Sequence, residues 1–225
     1  VVAVSLKKKD PAAEYQETLH KGRTLMAACQ PADACTAPVA VAWCNGRLLP
    51  ATEAAVPVGD QGLLYGHGFF ETIRVDRGRA PLLGDHLARF DATWQALMPS
   101  GPPDVTWEAV IAQVVTANRL QDCCAAVKLL ATRGSRSAAP WDHTLLVTAR
   151  PYIHRMAGKK QTGLGLGTYP HSRQTPLAGH KTLNYLYYLR AGQWAQANGF
   201  DEALILNPDG SVSETNTASL LIVRE

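Results

Sequence analysis

Three glycine-containing turns, each set between short apolar runs, constrain the fold of this 225-residue chain more than any other feature. These turns are Asn45-Gly46, Arg77-Gly78 and Pro208-Asp209-Gly210. Such sequences favour β-hairpins because glycine and asparagine readily adopt the positive φ angles that tight turns require. The sequence therefore predicts three strand–turn–strand units, the second of them with strands over FFETIRVD and RAPLL.

Helices are expected between these hairpins. The helix after the second hairpin is predicted to begin at the N-cap residue Asp85 and to bury Leu87, Phe90, Trp94 and Leu97 on one face. Further helices are expected over residues 11–29, 107–118 and about 182–198, further strands over 125–134, 143–153 and 164–169, and a glycine-rich loop over 62–68. This mixture predicts an α/β fold.

Composition excludes several classes of function. The chain carries 22 basic and 19 acidic side chains, and a net charge of +3 is too small to indicate a nucleic-acid partner. No apolar run reaches the ~18 residues that a membrane span needs, and the start VVAVSLKKKD does not fit a signal peptide. We therefore expect a soluble, cytoplasmic protein that acts on a small molecule. The five cysteines form no C-x-x-C pair, so no metal site is predicted.

Lys181 and Glu214 are the residues best suited to carry chemistry. Lys181 follows Pro176-Leu-Ala-Gly179 at the expected entry to a helix, where a lysine can point into a cleft. A partly desolvated lysine amine has a lowered pKa and can form a Schiff base. Glu214 lies on a predicted strand, and a carboxylate there can keep a ring nitrogen protonated. Taken alone, both residues also fit an ordinary solvated surface.

Three segments together carry a resemblance to a known family. Residues 60–90, 176–186 and 199–223 resemble the class IV, fold-type IV pyridoxal-phosphate enzymes, in that family's order and spacing. The family includes branched-chain and D-amino-acid aminotransferases and 4-amino-4-deoxychorismate lyase. The resemblance implies a small α/β domain over residues 39–151, then a larger pseudo-barrel domain over 152–225 that is truncated at its C-terminus, with pyridoxal 5′-phosphate bound at their interface.

The resemblance also implies roles for individual residues. Lys181 is similar to the Schiff-base lysine that moves protons at the substrate carbon, and Glu214 to the carboxylate that faces the pyridine nitrogen. Arg89 resembles the arginine that binds the cofactor phosphate, a role that suits a planar guanidinium; an ordinary surface arginine is the alternative. Weaker candidates for lining the ring and the phosphate are Tyr185, Asn216 and Thr217. Phe70 resembles a substrate-side wall, and it can equally be a core residue.

The sequence favours one member of this family. The pattern Lys181-x-Leu-Asn184 resembles the lyase and D-amino-acid branches more than the branched-chain branch. Phe70 stands where D-amino-acid aminotransferases usually have a tyrosine, and SRSAAPWDH after Gly134 lacks their Arg-x-His pattern. The predicted reaction is therefore the conversion of 4-amino-4-deoxychorismate to 4-aminobenzoate and pyruvate. D-amino-acid or branched-chain amino transfer is the alternative.

The N-terminal segment carries a second resemblance. Residues 1–30 resemble the C-terminal tail helix of chorismate-binding component I enzymes, with residues 31–38 as a linker. The family's magnesium-site glutamates match Glu14 and Glu17, but a solvated helix is favoured and no metal is assigned. The arrangement implies a fusion of two successive steps of 4-aminobenzoate synthesis, with a glutamine amidotransferase subunit as a partner. The resemblance to the class IV enzymes implies a homodimer.

A third hypothesis is an inert fragment. The family's second phosphate-binding loop should follow the final hairpin, and the sequence ends at Glu225 before any such turn. We therefore expect the natural protein to extend beyond both ends of this chain. Under this hypothesis the chain binds the cofactor weakly.

Overall fold

This computed structural model describes residues 2–5, 40–135, 143–153 and 163–223, in which strands are interspersed with helices. The strands are β1 (Val2–Ser5), β2 (Val41–Cys44), β3 (Arg47–Pro50), β4 (Gly68–Asp76), β5 (Cys124–Thr132), β6 (Thr144–Pro151), β7 (Leu166–Thr168), β8 (Glu202–Leu206), β9 (Val212–Thr215) and β10 (Leu220–Val223). The helices are α1 (Gln61–Tyr65), α2 (Leu83–Leu97), α3 (Trp107–Ala117) and α4 (Leu186–Ala197). The predicted α/β class is confirmed. The predicted helix 11–29 and the linker 31–38 lie outside the described residues.

The described residues fall into two units. The large-sheet unit contains residues 40–135, 143–153 and 179–184, and the small-sheet unit contains residues 163–178 and 185–223 together with β1. The domain boundaries that the sequence predicts at residues 30, 38 and 151 stay predictions.

The large-sheet unit is built on an antiparallel sheet with the strand order β3-β2-β6-β5-β4. Helices α2 and α3 cover one face of this sheet, where Phe69, Phe90, Trp94, Val114 and Leu129 are almost fully buried. The packing includes edge-on aromatic contacts, such as Phe90 to Trp107 with ring centroids 5.4 Å apart. Large apolar side chains at alternate strand positions thus hold the helices on the sheet.

The opposite face of the sheet, which we call the outer face, carries the side chains of the intervening residues. Phe70 pairs with Leu130, and Thr72 pairs with Lys128, in an unbroken register between β4 and β5. Lys128 in turn pairs with Thr148 on β6. Because successive side chains of a strand point to opposite faces, Phe70 and Lys128 lie on the same side of the sheet.

The first predicted hairpin is confirmed and the second is wrong in part. Asn45 and Gly46 have φ angles of 42° and 85° and join β2 to β3. Arg77 and Gly78 also form a turn, but the expected strand over RAPLL is reduced to a single bridge between Asp76 and Arg79. The long partner of β4 is β5, and Pro81 has no N–H to donate to a ladder.

Two predicted helix starts are corrected. Helix α2 begins at Leu83, so Asp85 lies in its first turn and is not the N-cap. A carboxylate in the first turn still interacts favourably with the helix dipole. Helix α4 begins at Leu186, four residues after the predicted start at Thr182. Thr182 instead bridges to Phe69 at the edge of the large sheet.

The predicted glycine-rich loop over residues 62–68 contains the short helix α1. Its N-cap is Asp60, which is fully buried and accepts a hydrogen bond from the Gly62 N–H at 2.7 Å. The hydroxyls of Thr132 and Thr144 donate to the other carboxylate oxygen of Asp60 at 2.7 and 2.5 Å. A satisfied buried carboxylate thus fixes the segment that leads into β4.

Gly66 ends α1 in the left-handed conformation, with φ at 69°, and a Cβ atom at this position would collide with the Asn184 side chain. We expect Gly66→Ala to lower the free energy of unfolding by about 1–2 kcal/mol or more, because the added methyl group is strained by both effects. Thermal or urea denaturation measures the change. Gly101→Ala is the control, since a Cβ atom there meets nothing within 4 Å. Equal stability of the two variants would contradict the expectation.

The small-sheet unit contains the sheet β7-β8-β9, in which β7 and β8 are parallel and β8 and β9 antiparallel. Helix α4 packs against β8 through Ala191 and Ala195, which contact a small core that includes Ala203 and Ile205. The third predicted hairpin is confirmed, with Gly210 at a φ of 82°. Strand β1 pairs in parallel with β10.

Across the described ranges, no helix has both the length and the apolar character that crossing a bilayer requires.

Candidate active site

Lys181 lies on an extended segment and not at a helix entry. Its carbonyl oxygen accepts a hydrogen bond from the Phe70 N–H at 2.9 Å, and the Leu183 N–H donates to the Gly68 carbonyl at 2.9 Å. Residues 181–183 therefore add a short extra strand to the edge of β4. The sequence predicts Lys181 at the entry to a helix. This prediction is wrong, because residues 181–183 pair with β4 and the helix begins later, at Leu186. A strand edge holds the Lys181 backbone more firmly than a loop would.

The Lys181 amine lies beside an aromatic ring. Its Nζ atom is 5.0 Å from the centroid of the Phe70 ring, and Phe70 is only 8% exposed. The Nζ atom of Lys128 is 4.3 Å from the same centroid. Both distances are within the range of cation–π attraction. Phe70 is thus a buried apolar side chain next to the amine, and its role as a substrate-side wall stays a prediction.

Glu214 lies on β9 in the small-sheet unit and has two polar neighbours. Arg173 Nη1 is 2.6 Å from its Oε1 atom, and the Tyr188 hydroxyl donates to the same oxygen at 2.9 Å. Arg173 Nη1 also contacts the Tyr188 hydroxyl at 3.0 Å. The guanidinium thus forms a charge-assisted hydrogen bond with the carboxylate. No described residue forms a hydrogen bond to Oε2, so that oxygen can accept one from a protonated ring nitrogen.

Tyr185 precedes α4 and stacks on Tyr188, with ring centroids 4.6 Å apart and an angle of 26° between the planes. Burial raises the pKa of Tyr185, and the nearby Tyr188 and Glu214 raise it further. Burial also raises the pKa of Tyr188, although its contact with Arg173 acts in the opposite direction. Both phenols therefore stay protonated at neutral pH and can donate hydrogen bonds.

Arg89 forms an ion pair within the large-sheet unit. Its Nε and Nη2 atoms donate to the two oxygens of Glu71 at 2.5 and 2.6 Å, and His86 Nδ1 lies 2.8 Å from Glu71 Oε2. Glu71 is 2% exposed, whereas half of the Arg89 side chain is exposed. Among the described residues nothing forms a hydrogen bond with Nη1. The guanidinium is thus anchored on one side and accessible on the other, which suits the binding of a phosphate.

The Glu71 carboxylate is ionised because of these contacts. Burial alone would raise its pKa, but the hydrogen bonds and charges of Arg89 and His86 outweigh burial and lower the pKa below the ordinary value of 4.5. A carboxyl group with a lowered pKa in the folded state stabilises the fold above its unfolded-state pKa, and this contribution disappears as the pH falls through the folded-state value.

We therefore expect acid to destabilise the wild-type protein more steeply than Glu71→Gln below about pH 4.5, where Glu71 of the unfolded chain becomes protonated. The glutamine side chain of the variant does not titrate, so the variant lacks this part of the pH dependence. Urea unfolding between pH 7 and pH 3 measures both curves. Parallel curves for the two proteins would show that the Glu71 contacts do not stabilise the ionised form.

The two weaker candidates on the small-sheet unit have structural contacts. The Asn216 side chain is buried, and its Oδ1 atom accepts a hydrogen bond from the Ala203 N–H at 2.8 Å. Thr217 donates to the buried carboxylate of Glu202 at 2.7 Å. These contacts tie the end of β9 to β8. The roles of both residues at a cofactor stay predictions.

The structure groups the predicted residues within the units. In the large-sheet unit Lys181 lies beside Phe70, and Arg89 lies on α2 with Glu71. In the small-sheet unit Glu214 and Tyr185 are linked through Tyr188. The first unit thus offers a primary amine, an aromatic wall and an anchored guanidinium, and the second a carboxylate with an available oxygen. Each of these groups has a chemistry that can bind one part of a phosphorylated pyridine aldehyde.

Sequence reasoning missed several residues. Arg173 and Tyr188 contact Glu214, Glu71 anchors Arg89, and Lys128 shares the Phe70 ring with Lys181. Two signals were present in the sequence. Lys128 is a single charge within the apolar run AAVKLLAT, and Tyr188 is one helical turn after Tyr185.

Comparisons with known proteins indicate the family of this chain. The family described as "Amino-transferase class IV" matches residues 68–225. The aminodeoxychorismate lyase of Vibrio harveyi is 30% identical over 81% of this chain and 67% of its own length. The D-alanine aminotransferase of Bacillus licheniformis is 28% identical over 80% of this chain and 64% of its own. The chain thus spans about two thirds of the length of these curated relatives.

Solved structures share the fold. The branched-chain amino acid aminotransferase of T.th. with pyridoxamine 5′-phosphate has a TM-score of 0.69 and 25% identity, over 80% of this chain and 64% of that one. This similarity confirms the predicted fold-type IV architecture. The family match covers more than half of the chain, from β4 through the Lys181 segment to the final hairpin. The chain therefore belongs to the class IV aminotransferase family.

Proposed function

We propose that this protein is a pyridoxal-phosphate-dependent lyase that converts 4-amino-4-deoxychorismate to 4-aminobenzoate and pyruvate. The observation that carries the proposal is the position of the Lys181 amine beside the Phe70 ring. An aromatic wall without a hydroxyl suits a ring-shaped substrate, whereas the D-amino-acid branch usually places a tyrosine here. The 30% identity to the aminodeoxychorismate lyase of Vibrio harveyi supports the same choice.

Pyridoxal 5′-phosphate as the cofactor is supported by the family and by the related structure with pyridoxamine 5′-phosphate. Lys181 would hold its aldehyde carbon, Glu214 its ring nitrogen and Arg89 its phosphate. When bound, this cofactor makes a proton acidic on the carbon that bears the substrate amine, because its ring accepts the electron pair.

The residues of the chain then have distinct tasks. The Lys181 amine would accept the proton from the amine-bearing carbon of the substrate. Glu214, which forms an ion pair with Arg173, would hold the protonated ring nitrogen of the cofactor. Phe70 forms the substrate-side wall next to the Lys181 amine and keeps water away from it.

The reaction balances without an oxidant or added water. A C–H bond at the amine-bearing carbon and the neighbouring C–O bond to the enolpyruvyl group break, and the electrons of the C–H bond complete the aromatic ring. The proton that Lys181 accepted supplies the hydrogen that the departing enolpyruvyl group needs to become pyruvate. One substrate thus gives 4-aminobenzoate and pyruvate.

The test is to incubate the protein with pyridoxal phosphate and 4-amino-4-deoxychorismate and to measure 4-aminobenzoate by chromatography. We expect equal amounts of 4-aminobenzoate and pyruvate, with no requirement for a keto acid. Amino transfer from D-alanine or a branched-chain amino acid to 2-oxoglutarate, without 4-aminobenzoate formation, would instead establish the aminotransferase alternative. The absence of any saturable yellow complex with pyridoxal phosphate would establish the inert-fragment alternative.

The role of Arg89 is tested by binding. We expect Arg89→Met to weaken the binding of pyridoxal phosphate about 10- to 100-fold, because a charge-assisted pair with the phosphate is lost. Binding of pyridoxal, which has no phosphate, should change little. Absorbance titrations with both compounds give the ratio of their dissociation constants. Loss of the Arg89–Glu71 ion pair could weaken binding of both compounds by distorting the fold, and the ratio corrects for that effect. Equal weakening of both compounds would contradict the phosphate role.

The wider assembly is also part of the proposal. We infer a homodimer, which the exposed side chains of Leu63, Leu64 and Tyr65 on α1 support because exposed apolar clusters often form interfaces. A fusion to a chorismate-binding component I enzyme, with a glutamine amidotransferase subunit as a partner, follows from the resemblance of residues 1–30. A cytoplasmic location fits this folate-pathway role.

A further inference from the structure

Positive charges cluster on the outer face of the large sheet beside Lys181. The Lys128 Nζ atom is 4.3 Å and the Lys181 Nζ atom 5.0 Å from the centroid of the Phe70 ring. Arg150 lies on the adjacent strand β6, near enough to repel Lys128 electrostatically. Three cations thus share one part of the sheet.

Within the described ranges no carboxylate forms an ion pair with Lys128 or with Arg150. Burial, followed by the charges of Lys181 and Arg150, lowers the pKa of Lys128. Like charges that are held close together repel one another, and a bound anion would relieve this repulsion.

The backbone fixes the position of Lys128. It lies in the middle of β5, which pairs with β4 on one side and β6 on the other. Its neighbours on the outer face are Thr72 and Thr148, whose side chains carry no charge. A central strand position orients a side chain more rigidly than a loop does, and this suits a binding residue.

We propose that Lys128, together with the positive charge of the nearby Arg150, binds a second anionic group of the substrate. This group is the carboxylate on the far side of the substrate ring from the reacting amine. This inference rests on the proposed function. The amine of the substrate reacts at Lys181, the ring lies along Phe70, and the carboxylate reaches Lys128 on the neighbouring strand.

The proposed subsite distinguishes between substrate classes. 4-Amino-4-deoxychorismate carries a carboxylate across the ring from its amine, whereas D-alanine has its single carboxylate next to the amine-bearing carbon. Both amines lie within 5.0 Å of the Phe70 ring centroid, so a substrate ring next to Phe70 can present its amine to Lys181 and its remote carboxylate to Lys128. Lys128 therefore selects ring substrates with a remote acid group.

The test compares 4-aminobenzoate with 4-aminobenzamide, its uncharged amide, by calorimetric titration of the protein loaded with pyridoxal phosphate. We expect the wild type to prefer the acid about 10-fold or more. Lys128→Met should weaken binding of the acid about 10- to 100-fold, leave the amide nearly unchanged, and so abolish the preference. Lys128→Arg should retain much of it, because it keeps the charge.

Arg74→Met is the matched control, since it removes a positive charge from the same sheet face at a site where Asp76 is the ion-pair partner. The control should keep the wild-type preference. Equal weakening of acid and amide in Lys128→Met, or an unchanged preference, would overturn the inference. Acid-selective binding that depends on Lys128, together with no turnover of 4-amino-4-deoxychorismate, would support the subsite and overturn the proposed reaction.

Discussion

Lys181→Ala is expected to lower the rate of 4-aminobenzoate formation by at least about 10³-fold, because one side chain supplies both the covalent attachment and the proton transfer. The substitution should also abolish the visible absorbance of covalently attached pyridoxal phosphate. Stopped-time product assays and absorbance spectra measure the two effects. The extended backbone of residues 181–183 is held by main-chain hydrogen bonds to β4, so the fold should persist in the variant.

Lys181→Arg separates charge from nucleophilicity. Arginine keeps a positive charge next to Phe70 but is not deprotonated in proteins, so it can neither attach the cofactor nor accept a proton. We expect this variant to be as inactive as Lys181→Ala. Activity within about tenfold of the wild type in either variant would contradict the role of Lys181 in cofactor attachment and proton transfer, because general acid–base and covalent contributions to the rate are much larger than that.

Glu214→Gln is expected to lower the turnover rate by about 10²-fold or more, since a neutral amide does not keep the ring nitrogen protonated and the developing charge is less well stabilised. The change is nearly isosteric, so binding of the cofactor should weaken less than turnover does. Steady-state kinetics at saturating cofactor give the rate, and a parallel titration gives the affinity.

Tyr188→Phe is the matched control for this second variant. It removes the hydroxyl that donates to Glu214 Oε1 at 2.9 Å but leaves the carboxylate and Arg173 in place. A single hydrogen bond to a charged group is worth about 1.5–3 kcal/mol, so the loss should be roughly 10- to 100-fold at most. If Glu214→Gln were no more damaging than Tyr188→Phe, the carboxylate charge would not be essential.

The local elements of the fold follow closely from sequence. The Asn45-Gly46 hairpin and the helix near Trp107 are encoded within a few neighbouring residues, by turn chemistry and apolar periodicity. The extended segment around Lys181 is different, because it is fixed by main-chain bonds to Gly68 and Phe70, more than a hundred residues earlier. Local patterns contain no information about such a partner, and the predicted helix therefore began too early.

The same reasoning applies to the candidate site. Lys181, Glu214 and Arg89 stand in recognisable motifs, so a resemblance identifies them. Arg173 and Lys128 carry no motif, and their importance follows only from the atoms that they approach, the Glu214 carboxylate and the Phe70 ring. Tertiary contacts of this kind are visible only once the strands are paired.

The register of β5 separates two kinds of position on one strand. Val127 and Leu129 are fully buried beneath the helices, whereas Lys128 projects from the opposite side. A shift of the strand by a single residue would exchange these two sets. Substitutions at residues 126, 128 and 130 would therefore change the outer face of the sheet while leaving Val127 and Leu129 in place.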